Sequence, residues 1–189
     1  MRNGMRLGAL ALALLLTACS SIPIGGTSKL RGLDIASDDV ASLLLAFDLP
    51  LSLQPSAGTS TLGIDIRSPA GERLIKAVLV RTDPGELAGT LPPPGENRIY
   101  HLFALAETDR QAIRDAQAWV RTMAPGSARL SVIVSPALCR TEAIDPGRIR
   151  ISALAALPGA TGLAPLLDNV PLARAMAGRD VQQCDGSTR

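Results

Sequence analysis

The sequence predicts a mainly β protein: an antiparallel β-sandwich, of which an immunoglobulin-like arrangement is one form, with one inserted amphipathic helix and a disulfide. Three observations favour this fold class. Six or seven short segments alternate apolar with polar residues, Gly and Pro residues separate these segments, and one long segment has helical periodicity. The alternative is an α+β fold in which the helix covers one layer of the sheet.

Length and composition limit the core and the partners. The 189 residues allow one domain, which we predict over residues 39–189, and only four side chains are aromatic, so aliphatic residues must fill the core. The chain has 19 Lys and Arg residues against 17 Asp and Glu residues. It contains no basic run with interleaved aromatic residues, which argues against nucleic-acid binding.

The first predicted strand has the clearest pattern. Residues 43–53 alternate over eleven positions, which puts six large apolar side chains on one face. Pro50 lies on the opposite face and has no N–H to donate to a β-ladder, so it predicts an edge strand or a bulge. An edge strand at this place would be open to a strand from a partner protein.

Five further strands follow the same alternation. Pro69 and Gly71 mark the turn between the second and third strands, and Pro146 and Gly147 mark the turn before the sixth. These five strands are predicted at residues 62–67, 72–81, 98–106, 128–135 and 148–152. Leu166 and Leu167 are compatible with a short seventh strand.

One amphipathic helix is predicted from Thr108 to Thr122. Thr108 and Gln111 have the spacing of a capping box, in which each side chain bonds a backbone N–H at the start of the helix. Pro125 and Gly126 end the helix. Its apolar stripe consists of Ile113, Ala116, Val120 and Met123.

Two features between the strands are candidates for function. Residues 82–97 form a long loop rich in proline, which could present a stiff surface to a partner. The sole histidine, His101, lies on a strand face with Ile99 and Phe103. No partner for catalysis or metal binding lies at a recognisable spacing, so we expect a buried or rim histidine bonded to a backbone group.

The N-terminus has the features of a secretory signal. Arg2 and Arg6 precede an apolar run over residues 7–16 that is too short to span a bilayer. Leu16-Thr17-Ala18-Cys19 resembles the lipobox of bacterial lipoproteins. The resemblance implies removal of residues 1–18, a diacylglycerol thioether on Cys19 and acylation of its amine, for example with palmitate. The alternative is an ordinary cleaved signal that leaves Cys19 as a free thiol.

The segment after the lipobox is a predicted tether. Residues 19–38 are small and polar, with Pro23 and the pair Gly25-Gly26 breaking regular structure. Their acidic residues lack the spacing of an EF-hand, so we interpret them as solvated charge. Ser20 follows the cysteine where Asp would favour inner-membrane retention in familiar lipoproteins. The resemblance therefore implies an outer-membrane anchor facing the periplasm.

The remaining two cysteines form a predicted disulfide. In an oxidising compartment Cys139 and Cys184 would pair and close a loop of 45 positions. Neither cysteine belongs to a Cys-x-x-Cys motif, which makes a redox-active pair less attractive. Two free thiols or a pair of soft-metal ligands are the alternatives.

No catalytic motif points to an enzyme, a metal or a cofactor. The sequence has no Gly-x-Ser-x-Gly elbow, no His-Glu-x-x-His run and no phosphate-binding glycine loop, and one histidine limits any triad. Paired carboxylates would require convergence, which the sequence cannot show. The candidates for such pairing are Asp48, Asp65, Glu72 and Glu107.

Two functions therefore compete. The first is a membrane-anchored, non-catalytic envelope lipoprotein that acts as a structural or protein-binding module, through the strand at residues 43–53 or the loop at residues 82–97. The second is a periplasmic carrier that holds a lipid or another apolar ligand in an aliphatic cavity. A large apolar cavity would favour the carrier, and an unpaired edge strand would favour the binding module.

Overall fold

The computed structural model describes residues 35–56, 60–83, 85, 90–156, 163–176 and 179–185. It is mainly β with few helices and one disulfide, as the sequence predicts. The strands are β1 (Leu44–Pro50), β2 (Leu53–Pro55), β3 (Thr61–Ser68), β4 (Gly71–Arg81), β5 (Arg98–Leu105), β6 (Arg129–Ser135), β7 (Leu138–Arg140), β8 (Arg150–Ala156), β9 (Ala164–Pro171) and β10 (Gln182–Gln183). The helices are α1 (Glu107–Arg121), α2 (Leu172–Ala175) and a 3-10 turn at Val40–Ser42.

The strands form two sheets. The larger has seven strands in the order β6-β3-β4-β5-β1-β8-β9 and is curled into a half-barrel, and all its neighbours are antiparallel. The smaller has the order β10-β7-β2, in which β2 is antiparallel and β10 parallel to β7. Because β2 follows β1, β7 follows β6 and β10 follows β9 through α2, the described chain passes three times from the large sheet to the small one.

β1 is an interior strand of the large sheet, so the prediction of an edge strand at residues 43–53 is wrong. β1 pairs with β5 on one side and β8 on the other. The chain turns at Leu51 and Ser52, which places β2 in the small sheet. Pro50 is the last residue of β1, opposite Arg98, where a missing N–H interrupts no interior part of the ladder.

The alternation in β1 produces the core that the sequence predicts. Leu45, Phe47 and Leu49 are each at most 1% exposed and point to the concave face of the large sheet. The rings of Phe47 and Phe103 meet edge to face at 5.3 Å, a geometry that adds roughly 0.5–1.5 kcal/mol beyond burial. Leu53 of β2 is fully buried in the same cluster, so both sheets share one core.

Helix α1 covers part of this core, but its start differs from the prediction. Ala106 is the N-cap and has no side-chain cap, so Thr108 does not form the predicted capping box. Instead, Asp109 Oδ2 accepts a hydrogen bond of 2.6 Å from the backbone N–H of Val78 in β4. This bond fixes the helix to the sheet. The buried face of α1 consists of Ile113, Ala116, Gln117 and Val120.

The first described residues pack against helix α1. Ile35 is only 4% exposed and belongs to the core cluster. The buried Nε2 of Gln117 donates hydrogen bonds to the carbonyl oxygens of Ile35, at 2.9 Å, and Asp38, at 2.6 Å. Of the predicted tether, residues 19–34 lie outside the described residues, and residues 35–38 pack on the helix.

The structure confirms the disulfide between Cys139 and Cys184, whose Cα atoms are 4.9 Å apart. Cys139 lies in β7, and Cys184 directly follows β10. The Cys184 N–H donates to the carbonyl oxygen of Arg140 at 2.8 Å, next to the disulfide. The disulfide therefore holds the C-terminal segment on the small sheet.

Candidate functional site

The candidate carboxylates lie beside arginines. Such pairs, when partly exposed, are typical of structural surface ion pairs. The pairs are Asp48–Arg98 at 2.9 Å, Asp65–Arg67 at 3.1 Å, Glu72–Arg67 at 3.7 Å and Glu107–Arg110 at 2.8 Å. Among the described residues, no group of three or more His, Cys, Asp and Glu side chains could hold a metal ion.

His101 is buried in the middle of β5, opposite Phe47 of β1. Burial lowers the pKa of its imidazole, and the nearby charge of Arg81 lowers this pKa further. Its buried Nε2 has no hydrogen-bond partner, so this nitrogen lacks the backbone partner that we predicted. His101 is therefore a buried imidazole whose charged form is disfavoured and whose Nε2 is unpartnered among the described residues.

The loop at residues 82–97 is described in part, because residues 84 and 86–89 lie outside the described residues. Residues 92–96 are exposed. At the end of the loop, the carbonyl oxygen of Asn97 accepts a hydrogen bond of 3.0 Å from the Leu51 N–H. The loop therefore returns to the sheet beside the turn between β1 and β2, where Leu51 and Ile99 are 55% and 44% exposed.

A cleft of about 380 Å³ is lined by residues of β3, β4, β6 and β7 and by Met176, Arg179 and Asp180. Lys76 and Arg179 contribute charged groups to it, and Thr61 and Ser135 contribute hydroxyl groups. A lipid carrier needs an apolar cavity, because charged groups lose hydration against a hydrocarbon chain. The polar lining of this cleft does not favour that function.

The strongest candidate site is the β6 edge, by which we mean the outer side of Arg129–Ser135. β6 is the outermost strand of the large sheet and pairs on its inner side with β3 over the whole length of β6. In the part of the chain that the structure describes, no strand pairs with its outer side. The strand therefore presents unpaired backbone N–H and C=O groups at the end of a preformed sheet.

The residues of β6 favour further pairing. The strand reads Arg-Leu-Ser-Val-Ile-Val-Ser, with no proline, no glycine and one charge at its start. Leu130, Val132 and Val134 face the core, opposite the buried side chains of β3, and Ser131 and Ile133 face outward. Such a strand has high β-propensity and few of the features that usually block strand addition.

The sequence predicted this strand but not its position at the edge. Pro50 predicts an edge at β1, which is interior; of the two actual edges of the large sheet, β9 contains two prolines and β6 contains none. The regular alternation of β6 indicates a strand, but strand order depends on which strands meet after folding. The sequence signal that was available is a regular strand with no proline and a single charge, at its first residue.

The predicted lipid anchor, Cys19, and the predicted signal, residues 1–18, lie outside the described residues. Within the described ranges, no helix has the length and apolar character needed to cross a membrane.

Comparisons with protein-family models, with curated proteins and with solved structures find no match for this chain.

Proposed function

We propose that this protein is a non-catalytic, lipid-anchored module of the bacterial cell envelope, and that it binds a protein partner by adding a partner strand to the β6 edge. The observation that supports this function most directly is the open, regular outer side of β6. Strand addition uses main-chain hydrogen bonds for affinity and alternate side chains for selectivity.

The chemistry of the β6 edge defines the partner segment. Each backbone hydrogen bond of an added strand contributes a net stabilisation of about 0.5–1.5 kcal/mol. Side chains of the partner that face the core would contact Leu130 and Val132, which are half-buried. Those facing outward would lie beside Ser131 and Ile133. The expected partner is an extended segment with apolar residues at alternate positions.

The anchor would bring this edge close to the membrane. With acyl chains on Cys19, the protein would stay bound because two or more chains anchor stably. Residues 20–34 span at most about 50 Å when fully extended. Confinement to the periplasmic side of the outer membrane would raise the effective concentration of any partner held on the same membrane.

We also infer that the two sheets act as layers of a β-sandwich. Leu53 in β2 and Leu138 in β7 are buried in the same cluster as Leu45 of β1, which supports packing of the small sheet on the concave face of the large one. An immunoglobulin-like identity would require a matching strand order, and the order β6-β3-β4-β5-β1-β8-β9 supports no such assignment.

The test is photo-crosslinking in the envelope of cells that make the full-length protein. A photoreactive phenylalanine analogue replaces Ser131, which is exposed on β6, and as a control replaces Asp168, which is exposed on β9. We expect one discrete protein adduct from position 131 and none from position 168. Equal adducts from both positions, or none from position 131, would contradict the binding module, and co-purified lipid with no adduct would favour the carrier.

The anchor needs its own measurement. Mass spectrometry of the mature N-terminus should show residues 1–18 removed and acyl chains on Cys19. An unmodified Cys19 would refute the membrane-anchored part of the proposal while leaving the β6 edge as a candidate site.

A further inference from the structure

We infer that the partner strand at the β6 edge is β6 of a second copy of this chain, so that two copies form a dimer with one continuous sheet. This inference rests on the proposed function, because it names the partner of the same edge. The evidence is the arrangement of residues around the centre of β6.

The sequence of β6 is nearly self-complementary when two copies run antiparallel about Val132. In this register Val132 faces its own copy, and Leu130 faces Val134. Ser131 faces Ile133, and Arg129 faces Ser135. All seven residues of β6 are used on both sides, and the only charge of the strand meets a hydroxyl group rather than its own copy.

The two faces of the sheet also match in this register. Residues that lie directly opposite each other in an antiparallel pair share one face of the sheet. The pairing of β6 with β3 puts Leu130, Val132 and Val134 on the core face. Across the proposed dimer, apolar side chains therefore meet apolar side chains on that face, and the half-buried Leu130 and Val132 become further covered.

Other antiparallel registers are less complete. A shift that centres the pair on Ser131 overlaps only residues 129–133 and leaves Val134 and Ser135 without partners. A shift that centres it on Ile133 leaves Arg129 and Leu130 without partners. The hydrogen bonds and the cross-strand contacts both favour the register centred on Val132.

The pairing is isologous and closed. A two-fold axis uses the same patch on both copies, so each β6 edge is consumed by its partner. The outer strands of the joined sheet are then the two copies of β9. A single strand pair is small beside the about 1,600 Å² of a standard interface, so the dimer should be weak in free solution and favoured on a shared membrane.

The test uses disulfide formation between full-length chains in the membrane. Chains with Ser131→Cys and chains with Ile133→Cys are made together, and mild oxidation should link them because these two positions face each other. The native Cys139 and Cys184 are already joined. We expect a strong covalent heterodimer from the mixture, a several-fold weaker product from Ser131→Cys alone, and no dimer from Asp168→Cys in β9.

A blocking variant completes the test. Ser131→Lys puts a charge on the exposed side of β6 without touching the core. When it is added to the chain with Ile133→Cys, the disulfide with the Ser131→Cys chain should be lost while the melting temperature stays unchanged. If no covalent dimer forms from the mixture, the second copy is refuted. A discrete adduct with a different protein in the photo-crosslinking test would then leave the proposed function standing, whereas no adduct of any kind would refute both.

Discussion

The two edge strands of the large sheet, β6 and β9, differ in how well a further strand could pair with them. β6 pairs regularly with β3 and contains no proline. β9 contains Pro165 and Pro171, and its pairing with β8 has register shifts between Ile151 and Leu154. Asn169 has a φ of 51°, and its N–H donates to the Ser152 hydroxyl at 3.0 Å. The backbone of the β9 edge is irregular, whereas the backbone of the β6 edge is regular, as the addition of a further strand requires.

The difference shows which edge is protected against pairing. Prolines, bulges and charge are the usual devices that protect an edge strand, and β9 carries all three, with Asp168 exposed between its prolines. The protein thus blocks one edge and leaves the other regular. This contrast between the two edges is the reason for proposing a partner at β6 rather than at β9.

The largest loss of stability should come from removing the disulfide, which joins the segment after β6 to the segment after β9. β6 continues into β7 with Cys139, and β9 continues through α2 to Cys184. The double variant Cys139→Ser and Cys184→Ser should lower the free energy of unfolding by roughly 4 kcal/mol, because a loop of 45 positions is freed. Urea unfolding measures this loss, and the reduced native protein is the control.

A second comparison separates the interior strand from the edge strand. Ile64 of β3 is fully buried, so Ile64→Ala should cost about 2–5 kcal/mol of unfolding free energy. Ile133 is the outward isoleucine of β6, and Ile133→Ala should cost less than about 1 kcal/mol in dilute, delipidated protein. Equal losses in urea unfolding would mean that the outer face of β6 is covered, against the open-edge interpretation.

The protection of β9 can be removed. Replacing Pro165 with Val and Asp168 with Thr restores a backbone donor and removes the charge on that edge. We expect a few-fold increase in assemblies larger than a dimer, measured by sedimentation velocity in mild detergent. Unchanged sedimentation would show that the register shifts alone block the edge.

The smallest effect concerns the centre of the sheet, because neither edge carries a histidine. Burial and the charge of Arg81 lower the pKa of His101 in the folded protein. Below the usual histidine pKa of about 6.5, the unfolded chain therefore binds a proton at this residue more readily than the folded chain does. Stability should therefore fall as the pH falls through this range. Unfolding free energies at pH 7.5 and 5.5 should differ less in His101→Phe than in the native protein.

The position of each element is what the sequence predicts least well. All six strands predicted from alternation correspond to strands, and the helix at α1 was predicted within one residue of its start. The predicted strand at residues 43–53, however, divides into β1 and β2 at Leu51 and Ser52. The alternation continues through this turn because Leu51 keeps the apolar period although it is exposed, so the period alone does not reveal the break.

The capping of α1 shows the same limit. Thr108 and Gln111 have the spacing of a capping box, yet the first turn is fixed by Asp109 bonding Val78 of β4. The Asp109 carboxylate accepts from a strand N–H rather than from a helix N–H, so this contact holds the helix on the sheet without capping its N-terminus. Local patterns predict what a segment can do, and packing selects among those possibilities.

What the sequence alone predicted correctly is a mainly β chain with one amphipathic helix and the apolar face of β1, because side-chain alternation is a local property. The pairing of Cys139 with Cys184 was predicted only together with the lipobox resemblance, which assigns Cys19 to lipid. What only the tertiary structure decided is strand order: β1 is interior and β6 is the open edge. Strand order depends on contacts between segments far apart in the chain, whose free energies no short stretch encodes.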